Sequence, residues 1–463
     1  MKRQLFLLFM KKAVFHTLGC KLNYAETSSF MRQFREQGFV VSDTITQRAN
    51  VCVINTCTVT EKADRECRQI VRRALRYSPD AYVIVVGCYA QLAAEVIASI
   101  EGVDLVLGSS EKFAIFDYAA ENFRKEMTPR VYVSPVDEAS GFGPGYSFDE
   151  GRRTRAFLKV QDGCDYSCSF CTIPLARGGS RSQSIEESVR QAEMLVAEGF
   201  KEIVLTGINV GDYGSKEDTS LLDLLDKLVR VPDLHRLRIS SIEPNLITDE
   251  LLNFWISSDV LVPHFHIPLQ SGSDEILRQM RRRYMSGYYR NLVYKIRERA
   301  PDACIGVDVI AGFPGETPEH FEETYRFLVD LPVSYLHVFS YSERENTPAM
   351  HYEGKISPAE RTRRTKMLRI LSEKKRRAFI ERFIDNEVSV LFEESIKNDY
   401  ITGLTREYLR VAVPYREGIE NSEATVRITS LNGEVAYGEI VQWGTHVIQG
   451  NGSGKSYRLP VIQ

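Results

Sequence analysis

The chain has 463 residues, and at about 100 to 200 residues per domain this length predicts two to four domains, of which we expect three. Hydrophobic residues make up 43% of the chain and charged residues 26%, a balance that excludes a disordered or collagen-like protein. Lys and Arg total 59 against 62 Asp and Glu, so any basic surface for a nucleic acid must be local.

The only apolar run near the N-terminus, residues 5–10, is too short for a signal peptide or a membrane span and lacks a small-residue cleavage site. We therefore expect a cytoplasmic protein without a membrane segment, and Met10 stays open as an alternative start to Met1. The chain has nine cysteines. In the cytosol thiols stay reduced, so these cysteines are more often metal ligands or catalysts than disulfides.

The first predicted domain, residues 11–124, alternates short apolar runs with amphipathic helical stretches. Strands are predicted at 13–18, 51–54, 82–86 and 104–107, and helices at 27–37 and 64–77. This alternation is typical of βα units and predicts an open parallel α/β sheet. Residues 125–152 are rich in Pro and Gly without periodicity, which indicates a linker.

A second series of βα repeats occupies the predicted central domain, residues 153–384. Its strands are predicted at 157–161, 202–206, 237–241, 265–269, 306–310 and 336–340, which indicates a partial (β/α)6 barrel. In such barrels the loops after the strands carry the chemistry. The domain ends in a basic helix, 357–384, opened by Ser357 and Pro358.

The predicted C-terminal domain, residues 385–449, contains short strands without helices. They are expected at 388–392, 400–402, 408–413, 424–430 and 435–441. Five short strands in so few residues indicate a small closed β-barrel.

The strongest chemical signal is the spacing C-x3-C-x2-C formed by Cys164, Cys168 and Cys171, directly after the first barrel strand. Three thiolates hold three irons of a 4Fe-4S cluster and leave the fourth iron open for a ligand. The alternative is a zinc site, but structural zinc takes four ligands, and the nearby sequence has no fourth Cys or His.

A second set of cysteines, Cys20, Cys57 and Cys88, has no local motif, but each follows a predicted strand. The carboxyl ends of parallel strands meet at one edge of a sheet, so these thiols are expected to converge and to hold a second cluster with one open iron. The alternative is three independent buried thiols. The remaining cysteines fit that alternative: Cys52, Cys67 and Cys304.

The cysteine spacing at the mouth of a six-unit barrel resembles the radical S-adenosylmethionine (SAM) superfamily over residues 155–342. The resemblance implies that the open iron binds SAM and that SAM is cleaved to a 5'-deoxyadenosyl radical. Phe170 matches the position that the superfamily places beside the adenine, and its alternative role is packing.

Nearly the whole chain resembles the methylthiotransferases. The matching motifs are TLGCKLN (17–23), NTCTV (55–59), GCYAQ (87–91), PLARG (174–178), LTGIN (205–209), HIPLQSGS (266–273) and AGFPGE (311–316). The resemblance implies two 4Fe-4S clusters, with the one on Cys20, Cys57 and Cys88 supplying sulfur, and SAM as both radical source and methyl donor. It also implies tRNA as a partner, an electron donor such as flavodoxin or ferredoxin, a sulfur source, and a TRAM-like RNA-binding module as the terminal barrel.

Candidate cofactor contacts lie at the ends of barrel strands: Gly207, Asn209, Glu243, Gln270 and Asp308. A missing Cβ at Gly207 lets the backbone approach a ligand, and Glu243 is suited to accept hydrogen bonds from SAM. The alternatives are an ordinary turn for Gly207 and Asn209 and an ion-paired or capping acid for Glu243. His266 and His337 also lie on strands, where a satisfied core histidine is the commoner role.

Local basic and aromatic residues are candidates for RNA contact. The run 281–283 and the helix 361–382 are rich in Arg and Lys and suit phosphate binding, although a charged helix is often only a solvated face. In the terminal barrel, the residues suited to stacking on unpaired bases are Tyr400, Arg406, Tyr408 and Arg410.

The motif HTLGCKLN, residues 16–23, resembles the branch that methylthiolates C2 of N6-threonylcarbamoyladenosine at position 37 of tRNA. The branch acting on isopentenyladenosine typically has Gln-Met after this cysteine, and the branch acting on a ribosomal protein aspartate has Pro-Lys, so Lys21 discriminates. Both branches stay open as alternatives. So does a non-catalytic iron–sulfur protein that binds RNA.

Overall fold

The computed structural model describes residues 11–46, 48–57, 61–136, 141–147 and 154–443. Met1, Met10 and residues 444–449 of the predicted C-terminal domain lie outside these residues. No helix among the described residues is long and apolar enough to span a membrane.

The N-terminal part is a six-stranded sheet in the order β2-β1-β3-β4-β5-β6, and all its strand pairs are parallel. The strands are β1 (Lys12–Thr17), β2 (Val40–Ser42), β3 (Val51–Thr56), β4 (Tyr82–Gly87), β5 (Leu105–Leu107) and β6 (Arg130–Tyr132). Every residue of β3 and β4 is buried, because helices and apolar clusters cover both faces of the sheet. The open parallel sheet predicted from the sequence is confirmed.

Among the described residues, the α-helices that accompany this sheet are α1 (Lys21–Glu36), α2 (Glu61–Tyr77), α3 (Cys88–Leu92), α4 (Ala94–Ala98) and α5 (Ile115–Tyr118). Helix α1 begins at Lys21, earlier than the predicted residue 27. Its first turns bury polar residues, Asn23 and Glu26, so the apolar periodicity that predicts a helix is missing there.

The segment predicted as a linker contains one strand of the sheet. β6 pairs with β5 through Arg130 opposite Leu105 and Tyr132 opposite Leu107. A three-residue strand at the sheet edge is too short to show periodicity, which explains why the sequence indicated only a linker. The domain boundaries themselves remain predictions.

The central part contains the six predicted parallel strands in two three-stranded sheets, β11-β10-β7 and β12-β13-β14. The Leu237 N–H donates to the carbonyl of Val260 at 2.8 Å and the Val262 N–H donates to the carbonyl of Leu237 at 3.0 Å, which connects β11 to the segment before β12. The strands are β7 (Arg155–Lys159), β10 (Glu202–Thr206), β11 (Arg236–Ile239), β12 (His264–His266), β13 (Cys304–Ala311) and β14 (Tyr335–Ser340). Between β7 and β10 lies a small antiparallel pair of strands, which consists of β8 (Gln161–Asp162) and β9 (Arg181–Ser182). The partial barrel is confirmed.

The helices of the central part follow the strands. They are α6 (Ile173–Arg177), α7 (Ile185–Ala197), α8 (Leu221–Leu228), α9 (Asp249–Ser257), α10 (Asp274–Gln279), α11 (Ser286–Arg299), α12 (Pro318–Asp330) and α13 (Pro358–Glu381). Ser357 caps α13 by accepting a hydrogen bond from the backbone N–H of Glu360 at 3.3 Å, as the Ser-Pro pair predicts.

The C-terminal part is a barrel of five strands paired in the closed order β15-β16-β17-β19-β18. Its strands are β15 (Glu387–Lys397), β16 (Tyr400–Thr405), β17 (Arg410–Pro414), β18 (Glu423–Asn432) and β19 (Val435–Trp443). It packs on the amino ends of the central strands, where Arg155 pairs with Glu393 at 2.9 Å and Thr154 Oγ1 donates to the carbonyl of Phe392 at 2.9 Å. The likeness of this barrel to a TRAM domain stays a prediction.

Candidate active site

The loop that carries Cys164, Cys168 and Cys171 lies between β8 and α6, and all three side chains are half-buried. Its ends are held together because the Cys164 N–H donates to the carbonyl of Gly178 at 3.0 Å. Gly163 has φ +70°, and a Cβ there would lie 2.0 Å from the carbonyl oxygen of Gly179. The segment that carries the three cysteines thus folds into one tight loop at the carboxyl end of the barrel strand.

The thiols of this loop are close enough to affect one another electrostatically. Burial raises the pKa of Cys164 to about 11 and that of Cys171 to about 12. A buried thiol gives up its proton when a positively charged metal replaces it. The loop therefore suits metal binding rather than a free thiolate nucleophile.

The second cysteine set converges at the carboxyl edge of the N-terminal sheet, after β1, β3 and β4. Gly19 has φ +103°, and a Cβ there would lie 2.7 Å from the Cys57 sulfur, so the loop of Cys20 packs directly on Cys57. Cys20 is the exposed member of the set, and the desolvation of its thiol by the surrounding residues raises the pKa of Cys20.

Two polar residues connect Cys20 to Cys88. The Cys20 thiol donates to Asn23 Oδ1 at 3.8 Å, and Arg177 donates to the same oxygen at 2.6 Å. Arg177 also donates from Nε to the Cys88 sulfur at 3.1 Å. The sequence analysis found Arg177 within a family motif but did not predict it as a site residue. Its position six residues after Cys171 in the chain was the one feature that could have indicated this role.

The spacing of the thiols bears on which metal they suit. Among the described residues, neither cysteine set has all three sulfurs within 4.8 Å of one another. Two Zn–S bonds of about 2.3 Å each span at most about 4.6 Å. Three thiols with no fourth ligand suit a 4Fe-4S cluster, in which three cysteines hold three irons and leave the fourth iron open.

Cys168 has an arginine of its own. Arg282 donates to the Cys168 sulfur at 3.2 Å and to the hydroxyl of Tyr284 at 3.0 Å, and it forms an ion pair with Glu243. Arg282 is buried, so it is not available to phosphate as the basic run 281–283 had suggested. Glu243 is ion-paired, as the alternative interpretation expected, and a contact between Glu243 and SAM remains a prediction.

Asn209 is the most informative of the predicted cofactor contacts. It is 3% exposed, and neither its Nδ2 nor its Oδ1 has a hydrogen-bond partner among the described residues. Nearby, Gln161 Oε1 accepts from the backbone N–H groups of Ile208 and Asn209, both at 2.9 Å, and a Cβ at Gly207 would lie 2.8 Å from that oxygen. A buried amide without partners is costly, which indicates a polar ligand at this position.

Three further residues share the inner face of β12, β13 and β14. His266 Nε2 lies 2.7 Å from Asp308 Oδ1, Asp308 is opposite His337 in the strand register, and the two histidine rings are 5.1 Å apart. Burial lowers the pKa of His337 and favours its neutral form. Gln270 has φ +71°, and its backbone N–H donates to the Asp308 carbonyl at 2.8 Å.

Phe170 is half-buried and packs edge-on against Phe313, with ring centroids 6.4 Å apart. It contacts a small apolar cluster that includes Met280 and Tyr341. Phe170 therefore has the packing role that was its alternative, and a contact between Phe170 and adenine remains a prediction.

Lys21 is the first residue of α1 and is exposed. The desolvation of its ammonium lowers the pKa of Lys21. Its charge acts on His264 and His337 of the barrel and on Tyr408 of the C-terminal barrel. Among the described residues its ammonium has no hydrogen bond or ion pair.

The structure corrects the predicted stacking residues of the C-terminal barrel. The ring of Tyr408 stacks on His264 at 4.3 Å, Arg406 donates to the carbonyl of Asp259 at 2.6 Å, and Arg410 pairs with Glu393 at 2.9 Å. Tyr408 and Arg406 thus contact the central barrel, whereas Arg410 pairs within the C-terminal barrel. Tyr400, 38% exposed, and the side chain of Arg410, 41% exposed, are still presented to solvent.

Acids pair with part of the positive charge of the basic helix α13. Among the described residues its ion pairs are Arg361–Glu343, Arg363–Glu360, Arg364–Glu316, Arg364–Glu360, Arg376–Glu434 and Arg377–Glu381, and Arg382, directly after the helix, pairs with Asp302. Arg364 and Glu316 are both buried, so that pair is structural. The paired arginines of this helix are therefore engaged with acids of the same chain and do not form a free phosphate-binding stripe.

Comparison with known proteins assigns the class of this fold. A family model described as the Radical SAM superfamily matches residues 158–328, and one described as Uncharacterized protein family UPF0004 matches residues 12–108. The solved structure of the radical SAM methyltransferase TsrM from Kitasatospora setae, with cobalamin and a 4Fe-4S cluster bound, superposes with a TM-score of 0.55 at 16% identity over 74% of each chain. The chain has the radical SAM fold.

Relatives at higher identity extend over the whole chain. The threonylcarbamoyladenosine tRNA methylthiotransferase MtaB of Bacillus subtilis is 39% identical over 90% of this chain and 94% of that protein, and MtaB of Aquifex aeolicus is 38% identical over 90% and 99%. The tRNA-2-methylthio-N(6)-dimethylallyladenosine synthase of Methylobacillus flagellatus is 31% identical over 93% and 99%. The chain belongs to the radical SAM tRNA methylthiotransferase family and is an enzyme of this class, whose cofactors are SAM and two 4Fe-4S clusters.

Proposed function

We propose that this enzyme methylthiolates C2 of N6-threonylcarbamoyladenosine at position 37 of tRNA, giving the 2-methylthio derivative. The observation that carries the proposal is Lys21, an exposed cation directly after Cys20 that has no hydrogen bond or ion pair among the described residues. The threonylcarbamoyl group ends in a carboxylate, which a lysine ammonium binds by a charge-assisted hydrogen bond. An isopentenyl group would prefer an apolar lining.

The cluster ligands are part of the proposal. Cys164, Cys168 and Cys171 would hold the cluster that binds SAM, and the sulfur-donating cluster would be held by Cys20, Cys57 and Cys88. Bound there, the two clusters and SAM supply the radical, the sulfur and the methyl group. Asn209, with its unpaired amide, would bind a polar group of SAM, and Gln161 would fix the backbone of that loop by its hydrogen bonds to residues 208 and 209.

The target base would enter the space between α1 and the inner face of the barrel. The charge of Lys21 acts on His337 of β14, and the pair of His266 and Asp308 lies on the neighbouring strands β12 and β13. In this arrangement Lys21 would orient the base by pairing with the carboxylate of the threonylcarbamoyl group. His337, in its neutral form, would add no second positive charge near Lys21. Tyr408 on His264 would exclude water from the amino end of the barrel.

The remaining partners are proposals of the same kind. An electron donor such as flavodoxin or ferredoxin would reduce the cluster that binds SAM, and an external sulfur source would restore the sulfur used in each turnover. Tyr400 and Trp443, 38% and 46% exposed on the C-terminal barrel, are suited to stack on unpaired bases of tRNA.

The deciding experiment offers the reconstituted enzyme two substrates separately: a lysine tRNA that carries threonylcarbamoyladenosine and a tRNA that carries isopentenyladenosine. Nucleoside mass spectrometry should find the methylthio group on the first alone. Methylthiolation of the second but not the first would overturn the substrate assignment while leaving the family assignment intact.

A further inference from the structure

Every N–H donor of Arg177 has an acceptor, and one of these acceptors is the sulfur of Cys88. Its five N–H bonds go to Cys88 Sγ at 3.1 Å, to Asn23 Oδ1 at 2.6 Å, to Asp162 Oδ1 at 2.9 Å, and to the two oxygens of Glu26 at 2.9 and 3.2 Å. Arg177 is 1% exposed and lies at the end of α6, the helix that follows the loop of the other cysteine set. A planar guanidinium held at five points has no freedom to rotate away from the sulfur.

The charges around Arg177 do not cancel. Glu26 pairs with Lys112 at 2.8 Å and with Lys159 at 3.1 Å, and Asp162 pairs with Lys159 at 2.7 Å. Together with Arg177, this buried group has three cations and two anions. Arg181, 3.7 Å from Asp162, adds positive charge at the rim. The excess charge acts on the Cys88 sulfur in a region that water does not screen.

The arginine at the other cysteine set differs in this respect. Arg282 donates to Cys168 at 3.2 Å but is paired one to one with Glu243. Arg177 and Arg282 thus each donate to one cysteine sulfur, and among the described residues the surplus positive charge lies around Arg177.

We propose that Arg177 is a positioning residue that raises the reduction potential of the N-terminal cluster, by donating a hydrogen bond to the Cys88 thiolate and by bringing net positive charge to it. The proposal rests on Cys88 as a cluster ligand, as argued under the proposed function. Hydrogen bonds to the sulfur ligands and nearby charge are among the factors that set the potential of an iron–sulfur cluster, and a cation stabilises the more negative, reduced state.

The structure also indicates which substitution is tolerated. Arg177→Met removes the surplus cation and leaves two acids, Glu26 and Asp162, with two lysines, Lys112 and Lys159, still paired within 3.1 Å. The buried group is then neutral rather than broken, so the fold should persist.

The test uses the full-length chain with Cys164, Cys168 and Cys171 replaced by alanine and reconstituted with iron and sulfide, so that one cluster remains. Reductive titration with dithionite and redox mediators, followed by electron paramagnetic resonance, gives its one-electron potential. Arg177→Met should lower the ratio of reduced to oxidised cluster at a fixed potential at least tenfold, a shift of about 59 mV. Arg177→Lys should restore part of the shift.

Two further variants separate charge from the sulfur contact. Lys112→Met removes one cation from the same group without touching a thiol and should lower the potential by less, while Arg190→Met on the exposed face of α7 should leave it unchanged. An unchanged potential in both Arg177→Met and Lys112→Met at full iron content would overturn the proposal. If the triple-alanine parent binds no cluster, the proposed ligand set is wrong, and this inference falls with it.

Discussion

Arg236, the first residue of β11, is fully buried and donates two hydrogen bonds to Glu423 Oε1 of the C-terminal barrel, at 3.0 and 2.5 Å. It also donates to the backbone carbonyls of Leu404 and Ser389 at 2.8 and 3.1 Å. The C-terminal barrel therefore satisfies a charge that belongs to the central barrel, and the two barrels form one structural unit.

We predict that Glu423→Leu destabilises the whole enzyme, because it leaves the Arg236 guanidinium buried without its carboxylate. Breaking one side of a buried ion pair costs about 3–5 kcal/mol. A thermal melt should show the loss in the central barrel as well as in the C-terminal one. Glu387→Gln is the control, since its pair with Arg427 is 48% and 55% exposed and worth at most about 1 kcal/mol. Equal melting temperatures for Glu423→Leu and the parent would contradict the prediction.

The two cysteine sets should be separable in function. Cys168→Ala should abolish both 5'-deoxyadenosine formation and methylthiolation, because it removes a proposed ligand of the cluster that binds SAM. Cys57→Ala should retain part of the 5'-deoxyadenosine formation and lose methylthiolation. Cys52→Ala, in the buried β3 and outside both sets, should keep both activities. Full methylthiolation by Cys57→Ala would show that the N-terminal set has another role.

Lys21→Met should reduce kcat/KM for tRNA bearing threonylcarbamoyladenosine about tenfold to hundredfold, since a hydrogen bond to a charged group contributes about 1.5–3 kcal/mol. Lys21→Arg should restore part of the activity, because it keeps the charge. The matched control is Lys227→Met, an exposed lysine on α8. Wild-type kinetics in Lys21→Met would exclude a contact between this lysine and the substrate.

Asn209→Ala should have opposite effects on binding and on folding. The substitution removes a buried amide that has no partner among the described residues, so the melting temperature of the SAM-free protein should stay the same or rise. The affinity for SAM, measured by calorimetry, should fall about tenfold or more, as expected for a lost pair of buried hydrogen bonds. Asn253→Ala, on the exposed side of α9, serves as the control. Unchanged SAM affinity would remove Asn209 from the cofactor site.

The sequence predicted the centre of the N-terminal sheet well because β3 and β4 are parallel and buried on both faces, which produces continuous apolar runs such as residues 82–87. The same topology explains why Cys20, Cys57 and Cys88 could be grouped before any contact was known: each follows a strand, and parallel strands end at one edge. Cys164, Cys168 and Cys171 needed no topology at all, since one loop carries them.

Buried charges were what the sequence could not reveal. Arg177 and Glu26 are 151 residues apart, and Arg236 and Glu423 are 187 apart. Without its partner in view, each charged residue is indistinguishable from a solvent-exposed one. The same reason explains the wrong expectation for Tyr408 and Arg406, whose aromatic and cationic groups suit RNA but contact the central barrel instead.

The way α1 is anchored limits how this enzyme can be recombined with its relatives. Glu26 on α1 takes two of its three cationic partners, Lys159 and Arg177, from the central barrel. A chimera that exchanges residues 11–124 alone would bring in a helix whose acid must find those same two cations in the host protein. Transplanting the N-terminal domain, for instance to change which modified nucleoside is accepted, therefore calls for moving residues 159–177 with it as one piece.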